Sequence, residues 1–243
     1  MEQTRSQGFR GGRRRVFLMR HGHVDYFDPA LARGADPRLV RLTEEGRAQA
    51  RAAASALAEA DFDAAFCSGL PRTRETAECI LAGRDPAPPL EDAPGLEELK
   101  SGAFYTARKM EFAARLRFSL EAAGEPGATF LEGGEVFADA YARATEAFER
   151  ILIGGSWKTA LVVAHEGINR MLLAWACDGG LKSMKAFEQD LGCINVLDVD
   201  LVPAMVGGGL EIERVIVKSV NVTPYDYLKH GMPLTSIETL FAE

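Results

Sequence analysis

Two arginines and two histidines stand where apolar runs of this chain stop. Val16-Phe17-Leu18-Met19 leads into Arg20-His21-Gly22-His23, a run ending near Cys67 leads into Ser68-Gly69-Leu70-Pro71-Arg72, and Leu161-Val162-Val163-Ala164 leads into His165-Glu166-Gly167. Short apolar runs bounded this way read as buried strands, and a glycine just beyond one lets the chain turn sharply. Open α/β sheets place ligands at the carboxyl ends of parallel strands. If these three strands share one sheet, Arg20, His21, Arg72 and His165 gather at one edge. Guanidinium forks match phosphate oxygens and always carry charge, so the gathering predicts a site for a compact dianion. A neutral imidazole is also a competent nucleophile, and nearby guanidiniums favour the neutral ring. His21, at the strand end beside Arg20, suits that role, with His165 as a further donor to the phosphoryl oxygens.

A phosphomonoester also needs its leaving oxygen protonated. Leu96-Glu97-Glu98-Leu99-Lys100-Ser101-Gly102 offers an acid, and a carboxyl beside a bound dianion holds its proton near neutral pH. Residue type alone leaves Glu97 and Glu98 as alternatives. Gly22, Asp25, Tyr26, Arg33 and Lys100 are candidates to line the pocket.

These residues need a sheet and helices to position them. Residues 23–42 read as a polar loop with turn signals at Asp28-Pro29 and Asp36-Pro37, and loops of this length are usually functional. Thr43 caps a helix running to about Ala60, with Gly46 an exception that weakens it. Asp63 to Cys67 is a strand, and Pro71 starts a helix to about Leu81. A short edge strand falls within Pro89 to Leu96. Residues 97–134 form a possible cap containing a helix over Lys109 to Glu121. Glu135 to Ile153 is a long helix, Thr159 to Ala164 a strand, and Gly167 to Cys177 a helix. Cys193 to Asp200 and Glu211 to Ser219, joined through glycines 207–209, predict an antiparallel pair at one side of the sheet. A short helix is expected near 235–242. The expectation is an α/β fold with a mostly parallel central sheet and an antiparallel edge, as one domain over residues 15–243 after a disordered basic tail at 1–14.

The chain has 243 residues, 47% of them apolar, and a formal charge of −7. That balance argues against a general nucleic-acid binder, and no apolar run is long enough to cross a bilayer. Four cysteines, at 67, 79, 177 and 193, show no framework spacing. Cys67, Cys177 and Cys193 read as buried free thiols, and a cytoplasmic, reduced protein follows. The expected partner is a small phosphorylated substrate, without nucleic acid or membrane. An exposed edge strand or the apolar middle helix leaves a homodimer possible.

These blocks resemble the histidine phosphatase superfamily, which includes the cofactor-dependent phosphoglycerate mutases. Arg20-His21-Gly22 is similar to its Arg-His-Gly signature, and Ser68-Gly69-Leu70-Pro71-Arg72 with Thr76-Ala77 to its Ser-x-Leu-x-Arg block. Leu96-x-Glu98, Gly133-Gly134-Glu135 and Val163-Ala164-His165 with Arg170 follow in the expected order, across residues 16–200. The resemblance implies a three-layer α/β/α sandwich and a phosphohistidine on His21. It also implies that Arg20, Arg72 and His165 hold the phosphoryl group, that Glu98 donates the proton, and that no metal or cofactor is needed. His23-Val24-Asp25-Tyr26 replaces the Glu-Ser and nearby Trp-Asn of the mutases, which favours a phosphatase over a phosphotransferase. Glu166 replaces a small residue of many relatives, and an acid there either orients His165 or repels phosphate. Two other readings compete. His21-x-His23-x-Asp25 has the alternation of some zinc hydrolases, with His165 and His230 left to complete a site. A binding protein on a phosphatase scaffold is the other, although every central residue is present.

Overall fold

Apolar runs become strands where the sequence places them. A computed structural model describes residues 12–26, 36–101, 119–205 and 207–239. The strands are β1 (Gly12–Arg20), β2 (Ala64–Cys67), β3 (Leu90–Asp92), β4 (Thr159–Ala164), β5 (Ile194–Pro203) and β6 (Leu210–Val222). They form one sheet in the order β3-β2-β4-β1-β5-β6. Neighbours from β3 to β1 run parallel, whereas β5 lies antiparallel to β1 and β6 antiparallel to β5. The parallel sheet with an antiparallel side is therefore as expected.

Among the described residues the α-helices are α1 (Glu44–Ala56), α2 (Pro71–Leu81), α3 (Phe137–Ile153), α4 (Glu166–Ala176), α5 (Gly180–Ser183) and α6 (Ser236–Thr239). Alternation along the strands divides the core between the two faces. Val16, Leu18 and Val162 pack with Phe137, Phe148, Leu152 and Leu172 of α3 and α4. Met19, Ala65, Leu161 and Val163 pack with Ala53 of α1 and with Ala77 and Ile80 of α2. Each large side chain buried this way contributes roughly 1.5–3 kcal/mol. The result is a three-layer α/β/α sandwich.

Local chemistry sets the helix ends. The Thr43 hydroxyl accepts the Gly46 amide at 3.1 Å, and Glu44 and Glu45 occupy the first turn of α1. That helix ends at Ala56 rather than near Ala60. The Leu57 and Ala60 carbonyls turn instead to the Arg84 guanidinium, at 2.7 and 2.5 Å.

Residues 12–14, expected in a basic tail, lie in the sheet. Gly12, Arg13 and Arg14 extend β1 and pair with Leu201, Asp200 and Val199 of β5. The arginines have partners there. Arg13 meets Asp200 at 2.7 Å and Arg15 meets Asp198 at 2.7 Å. Arg14, 6% exposed, donates to the carbonyls of Leu152, Gly154 and Gly155 at the end of α3 and stacks over Trp157. A cation is favoured where a helix leaves its last carbonyls free. Cys177 also departs from expectation. It is exposed at the C-terminus of α4, whereas Cys67 and Cys193 are buried, and all four thiols are free.

Most of the expected helix at 109–121, and Arg33 with it, lies outside the described residues. Among the described residues, no helix is long and apolar enough to cross a membrane.

Candidate active site

The carboxyl ends of β1, β2 and β4 lie side by side. Arg20 pairs with Ala164 in the parallel register, which brings His21 beside His165, and Cys67 pairs with Val163, which brings Ser68 alongside. The two imidazole rings stand edge to face, 5.1 Å between centroids. Gly22 lets this strand end press onto α1. A Cβ there would stand 2.4 Å from the Gly46 carbonyl oxygen, and a Cβ on Gly46 would stand 2.2 Å from that of His23. The two glycines are thus one contact seen from both sides.

His21 is 2% exposed and its Nδ1 lies 2.7 Å from the Gly22 carbonyl. A carbonyl only accepts, so Nδ1 carries the proton and Nε2 keeps its lone pair. Burial first, then Arg72 and Arg20, holds the ring's pKa well below its usual value. It is a neutral imidazole with a free lone pair on Nε2.

Arg20 and Arg72 are each 4% exposed. Arg20 Nη1 donates to the Gln189 carbonyl at 2.5 Å and faces Glu166 at 3.1 Å, and Arg72 Nη1 donates to the Arg38 carbonyl at 3.3 Å. The Nε of each is buried with no protein partner, as is His165 Nδ1. Buried donors are nearly always paired, so two guanidinium N–H groups beside one cavity suit an anion.

His165, wholly buried, reaches the Ser68 hydroxyl through Nε2 at 2.8 Å. Counting protons assigns that bond. Thr73 gives its hydroxyl proton to the Leu70 carbonyl and Ser68 gives its own to Thr73, so His165 must donate from Nε2.

Glu98 enters from the loop after β3. Its Oε1 accepts the Leu99 amide at 3.0 Å and its Oε2 the Gly167 amide at 3.2 Å. Burial pushes its pKa up against those two bonds, Glu166 adds to the rise, and Arg72 opposes it. A Cβ on Gly167 would meet Glu98 Oε1 at 2.7 Å, so the glycine leaves room for the acid. Glu97 instead pairs with Arg38 at 2.8 Å. Both acids border the cavity, but Glu98 is the one buried against two amides and raised in pKa.

These side chains border a cavity of about 270 Å³, lined by Arg20, His21, Arg72, Glu98 and Glu166 together with apolar side chains including Leu99, Leu120 and Phe130. Residues 16–201 match the histidine phosphatase superfamily (branch 1). The chain belongs to that superfamily.

Several relatives carry phosphatase names. The Arabidopsis thaliana protein named "Probable 2-carboxy-D-arabinitol-1-phosphatase" is 29% identical over 219 residues, covering 90% of this chain and 44% of its own length. The adenosylcobalamin/alpha-ribazole phosphatase of Salmonella typhimurium is 29% identical over 187 residues, 76% of this chain and 90% of its own. This chain therefore spans under half of the plant protein and nearly all of the bacterial one. The crystal structure of the alpha-ribazole phosphatase from Shigella flexneri superposes with a TM-score of 0.59 at 23% identity, over 82% of this chain and 95% of that one. That likeness concerns the fold. With these relatives, the chain is a phosphoric monoester hydrolase of the histidine phosphatase type.

Several expected residues fall elsewhere. Gly22 does not line the cavity, and its amide donates to the Thr76 hydroxyl at 3.2 Å. Asp25 does not line it either, whereas Tyr26 and Lys100 do. His23 Nδ1 lies 2.8 Å from the Thr43 hydroxyl, turned toward the start of α1. Among the described residues, no three His, Cys, Asp or Glu side chains are grouped to hold a metal ion, so the His-x-His-x-Asp alternation does not close into a ligand set.

Arg143 escaped the sequence reading. From α3 it donates to the carbonyls of Gly95 and Glu97 at 2.8 Å and meets Glu135 at 2.7 Å, which fixes the loop presenting Glu98. Its spacing of eight residues from Glu135 is the only signal the sequence carries.

Proposed function

We propose that this chain hydrolyses a small phosphomonoester through a phosphohistidine on His21, without a metal. The observation that carries the reading is the neutral His21, its Nδ1–H spent on Gly22, in one cavity with two buried guanidiniums and a carboxyl of raised pKa. In the first step Arg20 and Arg72 hold the phosphate oxygens while Nε2 attacks phosphorus. The P–O bond to the alcohol breaks, and Glu98 gives that oxygen its proton. In the second step the Glu98 carboxylate takes a proton from water, whose oxygen attacks phosphorus. The N–P bond then breaks, releasing inorganic phosphate and restoring both groups. His165 adds a donor to the phosphoryl group once the bound dianion raises its affinity for a proton.

Phosphatase names among the relatives favour water over a bound alcohol as acceptor. The apolar walls suit an ester whose carbon part packs against Tyr26, Leu99, Leu120 and Phe130. The setting we assign is the reduced cytoplasm, with that small ester as the substrate.

The test is release of inorganic phosphate from an aryl phosphate with a chelator present, wild type beside His21→Ala, and acid-labile label trapped on the protein. Chelator-resistant release and a trapped label, both lost in the variant, are expected. Full activity in His21→Ala, or loss with chelator, refutes the reading.

A further inference from the structure

The residue after His165 is an acid held from three sides. Glu166 opens α4, where the free amides of a helix start favour a carboxylate. Its Oε2 lies 3.1 Å from Arg20 Nη1. Its Oε1 accepts from Arg170 at 2.8 Å and from the Ser236 hydroxyl at 2.9 Å. Arg170 also meets Glu188 at 3.1 Å, and the Ser236 amide donates to Glu188 at 3.0 Å, so the carboxylate cannot swing away without breaking a closed ring of contacts. It borders the same cavity as Arg20, His21, Arg72 and Glu98. The next residue, Gly167, holds Glu98 through its amide. A carboxylate thus pairs with the arginine assigned to the phosphate and shares the cavity of the carboxyl assigned to supply the proton.

We propose that Glu166 is a positioning residue that sets two properties of the site together, its affinity for inorganic phosphate and the protonation of Glu98. The proposal rests on the phosphatase reading of this cavity. A carboxylate beside Arg20 cancels part of that guanidinium's attraction for a dianion, so product leaves sooner. The same charge disfavours ionisation of Glu98, so the acid keeps its proton. The other groups facing Glu98 act differently. The Leu99 and Gly167 amides and Arg72 favour its charged form, and Arg143 meets only its backbone carbonyl. His21 and His165 are neutral near pH 7.

Glu166→Gln keeps the shape and removes the charge. Inorganic phosphate titrated calorimetrically into the full chain should bind roughly tenfold more tightly, and the alkaline limb of kcat with an aryl phosphate should move about one pH unit lower. Ser236→Ala removes a contact to Glu166 without changing its charge and should leave both quantities at their wild-type values. If the Gln variant does not fold, Glu166→Gly carries the same expectations. Weaker phosphate binding with an unmoved limb overturns the proposal, because Glu166 would then only brace Arg20. Calorimetry needs no turnover: an inactive wild type whose variant still binds phosphate more tightly would sink the phosphatase reading, and with it the role toward Glu98, while leaving the effect of the Glu166 charge on phosphate affinity in place.

Discussion

Replacing Glu98 by glutamine separates proton donation from geometry. The carboxyl oxygens each accept one amide, from Leu99 at 3.0 Å and from Gly167 at 3.2 Å. Glutamine keeps one acceptor and turns an NH₂ toward the other amide, which loses one hydrogen bond. A hydrogen bond of this kind is worth about 1 kcal/mol, or roughly fivefold in rate. Any greater loss must come from the missing proton, which in general acid catalysis is worth about 10²–10⁴, or roughly 3–5.5 kcal/mol. The proton matters only when the departing oxygen is basic. The assay is kcat/KM, which reports transfer to His21 alone, for an aryl phosphate and an alkyl phosphate side by side. Glu98→Gln should cost about fivefold with the aryl ester and on the order of 10³ with the alkyl ester. Equal losses on both esters would refute the role, because Glu98 would then act through structure.

The other expectations concern stability. Gly46→Ala should gain about 1 kcal/mol by helix propensity, yet its Cβ would stand 2.2 Å from the His23 carbonyl, so the close contact wins and thermal melts should show a net loss of roughly 1–3 kcal/mol. Gly22→Ala, from the other side of that contact, should behave alike; a rise in melting temperature for either contradicts the packing. Arg14→Ala strips three carbonyls of their partner, that of the buried Leu152 among them, and should cost about 1–3 kcal/mol in denaturant titrations, whereas a solvated tail would give no change. His21 and His165 both have folded pKa values depressed well below the usual 6.5, so the unfolded chain binds more protons there. Their contribution is fully present above about pH 6.5 and is lost as pH falls, with a slope up to about 2.7 kcal/mol per pH unit for two protons. His21→Gln should reduce that slope by about half, and an unchanged slope would mean that His21 is charged in the folded chain.

What the sequence conveys is fixed by the range of the interactions involved. Strand ends were legible because a buried strand writes its burial into consecutive apolar residues, and Arg20, His21 and His165 stand where those residues stop. The cap at Thr43 and the start at Pro71 are equally local. Arg14 was misread because its partners are backbone carbonyls at the far end of α3, which no residue type announces. Gly46 looked like a weakness because helix propensity counts only the helix, and its reason is a loop 23 residues earlier. Glu98 could not be separated from Glu97 by type. The separation comes from Gly167, whose amide and missing Cβ favour the second acid.

A protein of net charge −7 holds sites for a dianion only if the relevant cations are local and fixed. Surface charges more than about 8–10 Å away are screened by salt, so the acidic exterior weakly affects the cavity. Burying Arg20 and Arg72 is costly without partners. Each has some. Arg20 has the Gln189 carbonyl and Glu166, and Arg72 has the Arg38 carbonyl. Those partners engage Nη1 in both residues and leave Nε without one. The compensation is therefore incomplete on the atoms that a phosphate oxygen would meet. A fully paired guanidinium would have nothing to gain from phosphate, and an unpaired one would be too costly to bury. On the proposed function, partial pairing offsets part of the cost of burying both cations and still leaves each a donor for phosphate.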